Sequence, residues 1–453
     1  MSRNQKKKVM PWQRRTRRWV WVLLLLAGLP LLSWLIFKSY AANQERAAAA
    51  RLAPFGYTED ANALSALAQG AAPEDNAMPI YEEAHGKLQP LQPIDVFGVP
   101  FLGLKVNNLK ELPVFDAKAL EKAKQILEEN HEALTLAEEG GKRSFLLGQY
   151  DPQSPWNDHG ALGRAQRMFE LIEMRAVIAL QERDREGLCR DLDWLLSFNL
   201  QLLATSSSYS WHAPLGPLSE HTVPLLEHVL ATQFLSAAEW SPFQTRLDRV
   251  DPVPYFRNGL VVAVNNALNF RYLPPVIGEV WNVSGLYHLQ KARGLDFATG
   301  IFAVKQNDLD QWWKRLSPHF AAQERRDTSR MLDVLTYNLW SEQHWRLYGE
   351  LQIAVLLRGL SAVIAAERYR QEQGSLPDRL EMLVPGYLSS VPIDPIDGMP
   401  MRYVHDDKRM AVYSLGGDEK DTQGTLNRMG VLDFREGDWP VRVEYAAANA
   451  PAG

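Results

Sequence analysis

The histidines and carboxylates are the groups whose spacing could support chemistry in this chain, and few of them are spaced to do it. His131-Glu132 opens like HExxH, in which two histidines one helical turn apart hold zinc and the glutamate activates water. Thr135 stands where the second histidine belongs, so the pattern fails. His212, His221 and His228 lie further along, with Glu220 and Glu227 beside the last two. On a continuous helix His221 and His228 share a face but stand about 10 Å apart along the axis, too far for one metal ion. Pro224 between them also perturbs the helix. These histidines are therefore read as satisfied or surface groups. The stretch 151–160 gathers Asp151, Trp156, Asp158 and His159. A capped helix start before Ala161 is the plainer account, and a pocket wall is the alternative.

Other catalytic patterns are missing. The chain has no G-x-S-x-G, no P-loop and no G-x-G-x-x-G. Gly140-Gly141-Lys142 lacks the upstream glycine of a phosphate loop and comes after a helical pattern instead of a strand. Acidic pairs along the helices read as solvated faces. The single cysteine, Cys189, excludes internal disulfides and Cys-clustered zinc, and beside an apolar stripe it reads as a small buried hydrophobe. Trp312-Trp313, and Trp340 with Trp345, read as core and not as a sugar platform. No catalytic residue is predicted.

Any site would have to be positioned by a large folded body. The chain has 453 residues, 46% hydrophobic and 23% charged, which excludes a disordered or collagen-like chain and leaves room for a buried core. Charge is unevenly distributed. Residues 1–51 carry eleven Lys/Arg and one acid, Glu45; the remaining 402 residues carry 38 basic and 53 acidic side chains, a net of −15. That acidic body repels phosphate backbones, so no nucleic-acid partner is expected. Residues 19–37 (WVWVLLLLAGLPLLSWLIF) are uncharged. As a helix they span about 28 Å, close to a bilayer core. Arg14, Arg15, Arg17 and Arg18 precede the run, and Trp19, Trp21 and Trp34 lie toward its ends. The positive-inside rule then predicts a cytoplasmic N-terminus, with the bulk of the chain across the membrane. The alternative is a signal peptide cleaved at Ser39-Tyr40-Ala41; the length of the run and Lys38 directly after it favour a retained anchor. No later stretch approaches eighteen apolar residues, which predicts a single pass.

Helical patterns dominate residues 41–373. Residues 41–52 continue the anchor as an Ala-rich stalk, and Pro73-Glu74-Asp75 opens a helix over 73–88. Residues 89–116, with four prolines, read as an extended loop, and 117–139 as a helix ended by Gly140-Gly141. Residues 161–204 form the clearest hairpin. Ala165, Phe169, Ile172 and Ala176 stripe its first helix, and Leu188, Leu192, Leu195 and Leu196 its second, with Asp184-Arg185-Glu186-Gly187 as the turn. Helices over 218–272 and 305–336 are broken by prolines, and 337–373 is the longest uninterrupted helical pattern, closed by Gly374. Met401–His405 and Met410–Leu415 then read as strands joined by a turn at Asp406-Asp407-Lys408.

Residues 362–424 carry a specific resemblance. A long helix ends in Tyr369 to Gly374. Beyond it stand Pro392, Asp394, Pro395, Gly398, Pro400 and Tyr403, then Tyr413-Ser414-Leu415-Gly416-Gly417-Asp418. This stretch resembles the globular end of the major pseudopilins of type II secretion. The resemblance implies a calcium ion held by the Leu415 carbonyl and the Asp418 carboxylate, with Asp433 and Asp421 as further oxygen donors. Residues 19–37 lack the glutamate of a pilin helix, so filament assembly is not implied. The whole arrangement also resembles a group of bacterial single-pass membrane proteins that pair a helical ectodomain with such a module.

The expected architecture is mainly α. It consists of a basic cytoplasmic tail (1–18), a transmembrane helix (19–37) and a stalk (38–58). Beyond the stalk lies a helical-hairpin, solenoid-like periplasmic domain (59–340), then a long helix with a small α+β pseudopilin-like module (341–445) and a tail (446–453). The expected function is that of a non-enzymatic inner-membrane scaffold or accessory protein. Its expected partners are the lipid bilayer, through 19–37, and envelope or secretion proteins. The rival expectation is an envelope enzyme or small-ligand binder with a pocket among the helices around 151–230, near Trp156, Asp158, His159 or His212.

Overall fold

The structure is a computed structural model and describes residues 11–58, 60, 73–90, 112–146, 159–204, 215–269, 285–305, 308–324, 334–426 and 436–445. Asp151, Trp156, Asp158, His212 and Asp433, and most of the loop expected over 89–116, lie outside these residues. So does the side chain of His159.

The run 19–37 and the Ala-rich stalk form one helix, α1 (Pro11–Leu52). After a 3-10 turn at Pro73–Asp75 comes α2 (Met78–Lys87). The helix expected over 117–139 is two, α3 (Ala117–Glu129) and α4 (His131–Gly140). The break falls at Asn130, whose side-chain amide donates to the Ile126 carbonyl while its side-chain oxygen accepts the Gln89 N–H. A side chain that competes for backbone groups ends a helix locally. The hairpin is present as α5 (His159–Glu182) and α6 (Arg185–Ala204), and its apolar stripes are buried. Arg183 adopts a left-handed conformation at the turn, and Asp184 caps α6 through the Gly187 N–H.

A π-helical turn, Pro217–Thr222, runs directly into α7 (Val223–Thr232). Pro224 lies just after that turn, and the helical path continues through it. α8 (Ala237–Asp248) begins with a Ser236/Glu239 capping box, and α9 is Val253–Asn269. The pattern expected over 305–336 resolves into the end of α10 (Leu286–Lys305), α11 (Trp312–Glu324) and the start of α12 (Val334–Gln373).

α12 is the axis of the molecule. It touches α8, α9, α10 and α11 and also carries the sheet. Leu347, Leu351, Leu357, Leu360 and Ile364 join one contiguous core that runs from Ala48 to Val443. By length and composition the segment Trp345–Gln373 could itself cross a membrane, with a mean hydropathy of 1.5, contrary to the expectation that no second run qualifies. Its apolar window is 94% buried within the protein, as in the core helix of a globular body.

The sheet is antiparallel, in the order β1 (Arg402–His405), β2 (Arg409–Ser414), β3 (Trp439–Glu444). The β1–β2 turn lies where Asp406-Asp407-Lys408 predicted it, with the Asp406 carboxylate accepting the Lys408 and Arg409 N–H groups. β3 was not legible in the sequence, because Pro440 argues against a strand. The structure resolves the conflict by parity. The Arg442 N–H points away from β2, to Glu227 on α7. Pro440, two residues earlier, presents its missing N–H on the same outer edge. Gly359 lets α12 approach this sheet, since a Cβ there would lie 2.8 Å from Val441.

Candidate functional site

Leu415, Asp418 and Asp421, the described residues of the predicted ligand set, lie in the C-terminal module, and Asp394 organises that region. Its carboxylate is fully buried and accepts four hydrogen bonds: Ile396 N–H (2.9 Å) and Ser414 Oγ (2.7 Å) at Oδ1, Leu415 N–H (3.1 Å) and Arg402 Nη1 (2.6 Å) at Oδ2. Burial pushes this carboxyl above its ordinary range, and the bonds from Ile396, Ser414 and Leu415 oppose the shift without cancelling it. Asp394 thus ties the proline-rich loop 392–400 to the end of β2, and its lone pairs are taken up by the protein itself.

The loop after β2 holds Leu415, Asp418 and Asp421. Asp418 accepts the Lys420 N–H at 3.2 Å. Asp421 accepts the Tyr413 hydroxyl at 3.1 Å and the Gln423 N–H at 2.9 Å. Glu419, in a left-handed conformation, accepts the Trp313 indole N–H and ties the loop to α11. Asp433 lies outside the described residues. Asp438, which no sequence pattern marked, is the buried carboxylate of this loop. Its Oδ2 accepts the Thr422 and Gly424 N–H groups, and its Oδ1 is buried with no hydrogen-bond partner. Burial, and then the neighbouring Asp421 charge, hold it above the usual carboxylate range against those bonds. Among the described residues no three His, Cys, Asp or Glu side chains group as a metal site.

His221 is not paired with its sequence neighbour Glu220. Its Nδ1 lies 3.0 Å from Glu173, a buried residue of α5. Burial pushes the imidazole down, but the Glu173 hydrogen bond and charge, with Glu220 and Glu170, leave it above its ordinary value. Phe169 meets the ring edge-on at 5.7 Å. Thr135 donates to the His131 carbonyl, and Glu132 pairs with Lys87 at the surface. Burial pushes the Cys189 thiol up to about 11, so it stays protonated at neutral pH.

A second arrangement left little trace in the sequence. Lys305 on α10, with Arg346 and Glu350 on α12, forms a fully buried group of two cations and one carboxylate. Glu350 accepts from both, Arg346 Nη1 is left without a partner, and the Lys305 ammonium lies 4.8 Å from the centre of the Trp312 ring. Burial pushes Lys305 down to about 8. The only sequence signal was the i, i+4 pair Arg346/Glu350 inside an apolar stretch. No known protein family, curated protein or solved structure matches this chain.

Proposed function

We propose that this chain is a single-pass protein of the bacterial inner membrane, anchored by residues 19–37. Its N-terminus is cytoplasmic, and its helical body is a periplasmic scaffold or accessory component attached to secretion or pilus machinery. One observation carries the anchor. Trp19, Leu29, Leu31, Leu32, Leu35 and Ile36 are each between 49% and 64% exposed on α1. In water each such half-exposed leucine forgoes about 1 kcal/mol of burial, and a bilayer removes that cost. Farther along the same helix Ala41, Ala48 and Leu52 are buried, and α1 packs on α10. The junction is close, since a Cβ at Gly285 would lie 3.1 Å from the Lys38 Cα. Glu45 bridges His288 and Lys291 on α10. The secretion assignment draws support from the C-terminal order: a long helix, a proline-rich loop and an antiparallel sheet lying on the helix.

The test is affinity capture of the full-length protein from gently solubilised native membranes, with mass spectrometry of what accompanies it. Secretion or pilus subunits recovered reproducibly are the expected result. Recovery of the chain alone overturns the scaffold role.

The orphaned Asp438 oxygen favours a structural calcium ion in the same module. Asp438 and Asp421, with the Leu415 carbonyl and Asp418, are the oxygens that would hold it, and the ion would neutralise the buried carboxylate. Full-length protein is expected to melt higher in calcium than in chelator, with Asp438→Asn abolishing the difference. Equal melting removes the ion from the account.

A further inference from the structure

A cleft of about 560 Å³ opens between the end of α4, the turn after it, one face of α6 and Arg246 of α8. α6 supplies Arg190, Trp194, Ser197 and Gln201, spaced to lie on one side of the helix. Trp194 is held by its indole N–H, which donates to the Ala137 carbonyl at 2.6 Å. Gln201 donates to the Gly140 and Arg143 carbonyls at 2.8 Å each and accepts the Tyr81 hydroxyl at 3.0 Å. Gly140 and Gly141 are required for this close approach. A Cβ on the first would lie 2.4 Å from Tyr81, and one on the second 2.4 Å from Trp194. The glycine pair therefore lays the turn flat on aromatic rings and brings Lys142, Arg143 and Ser144 to the rim.

The wall is cationic. Lys142, Arg143, Arg190 and Arg246 line it against two carboxylates, Glu138 and Asp193. Arg175, Glu139 and Asp191 stand behind, and with them counted the balance stays positive. This occurs in a body whose net charge is −15 beyond residue 51. Arg246 already meets the Asp193 carboxylate at 2.9 Å and the Ser197 hydroxyl at 2.6 Å, and Lys142 meets Glu139 at 2.8 Å, so the donors left for a ligand are chiefly those of Arg190. Arg175 engages both Asp191 oxygens and Glu138. Arg190 approaches the same acids only through its Nε, at 3.3 and 3.5 Å, and is half-exposed. The Arg143 guanidinium is oriented by its Nη1 on the Glu74 carbonyl at 2.8 Å, with its Nη2 3.8 Å from Glu139, and contributes positive charge at the rim. Preorganised guanidinium groups over a partly apolar floor recognise carboxylate or phosphate oxygens on a compact organic body.

We propose that this cleft binds a small anionic ligand, a sugar-sized phosphate or carboxylate, on Arg190 between Arg143 and Arg246, with its body over Leu200 and the edge of Trp194. The site is independent of the anchor and of any secretion partner.

The test titrates full-length protein in nanodiscs of phosphatidylcholine with glucose 6-phosphate, glucuronate and uncharged glucose, at constant ionic strength. The readouts are tryptophan fluorescence and calorimetry. Saturable binding of one or both anions, and none of glucose, is the expected result. Arg190→Glu should weaken it about tenfold or more, because it replaces a charge-assisted donor with a repelling group. Arg143→Gln serves as the second variant, and unchanged melting temperatures show that both still fold. Absence of saturation below about 10 mM, equal binding of glucose, or unchanged affinity in both variants overturns the proposal.

Discussion

α1 and α12 are near twins in length, 42 and 40 residues, and each contains an uncharged or nearly uncharged apolar stretch. Their surroundings are opposite. The described leucines of α1 between residues 29 and 36 face outward, whereas the apolar window of α12 is 94% buried in protein. The polar residues explain why. α12 carries Arg346, Glu350, Arg358, Ser361 and Glu367, and each meets a partner from another element or from its own helix. Such groups are tolerated only where a fold supplies counter-charges, and a lipid-facing helix has none to offer. Hydropathy measures the need to leave water. It does not say whether lipid or protein receives the helix.

The counter-charges around α12 matter most at the buried triad of Lys305, Arg346 and Glu350. Glu350→Leu leaves Lys305 and Arg346 facing each other without a carboxylate and is expected to cost about 3–5 kcal/mol, read as a fall in melting temperature. Lys305→Met leaves a balanced Arg346–Glu350 pair, and its cost should stay within about 1 kcal/mol. Equal losses for the two variants would show that packing, not charge balance, dominates there.

The next largest effect concerns α1. Leu32→Arg places a charge within the apolar run at a cost of about 2.5–3.5 kcal/mol for insertion. Carbonate extraction should then release the protein from membranes, while the thermal transition of the body stays in place. A lowered melting temperature instead would mean that this part of α1 packs on protein.

A different readout, pH, separates two partly or fully buried groups. The Glu227 carboxyl, pushed up to about 8 by burial against β3, keeps a proton in the folded chain that the unfolded chain releases near 4.5. Stability should therefore fall as pH rises from about 4.5 to about 8, and Glu227→Gln should flatten that slope. Lys305 acts with the opposite sign. Its folded value of about 8 lies below the unfolded 10.5, so stability should rise with pH across that interval. Denaturant titrations at a series of pH values read both slopes. The smallest change is Arg51→Ala. Its pairing with Asp296 at 2.5 Å joins two half-exposed side chains, so the loss should stay below about 1 kcal/mol.

Much of the fold was legible where the signal was local. Leu188, Leu192, Leu195 and Leu196 repeat at helical spacing, and the structure buries all four against α5. The acidic turn between β1 and β2 was readable because Asp406 bonds to groups two and three residues away. The break at Asn130 was not legible, because an asparagine within a helical pattern shows no sign of the backbone it will engage. The candidate sites were less visible still. Asp394 stood out as part of a motif, but its four bonds come from both sides of β1 and β2. Asp438 had no signal beyond a Gly-Asp-Trp sequence. The cleft joins residues 141–144 to Arg190 and Arg246, a span of more than a hundred positions.

By itself the sequence determined the uncharged nineteen-residue run, the basic head and acidic body, the helical hairpin and the β1–β2 turn. Each depends on periodicity or charge within a few turns of chain, and local geometry alone carries that information. The tertiary structure decided what encloses α12, which acid Lys305 meets, how Pro440 enters a strand and where the arginines converge. Those outcomes rest on contacts between distant segments, whose energies exist only once the chain has closed around them.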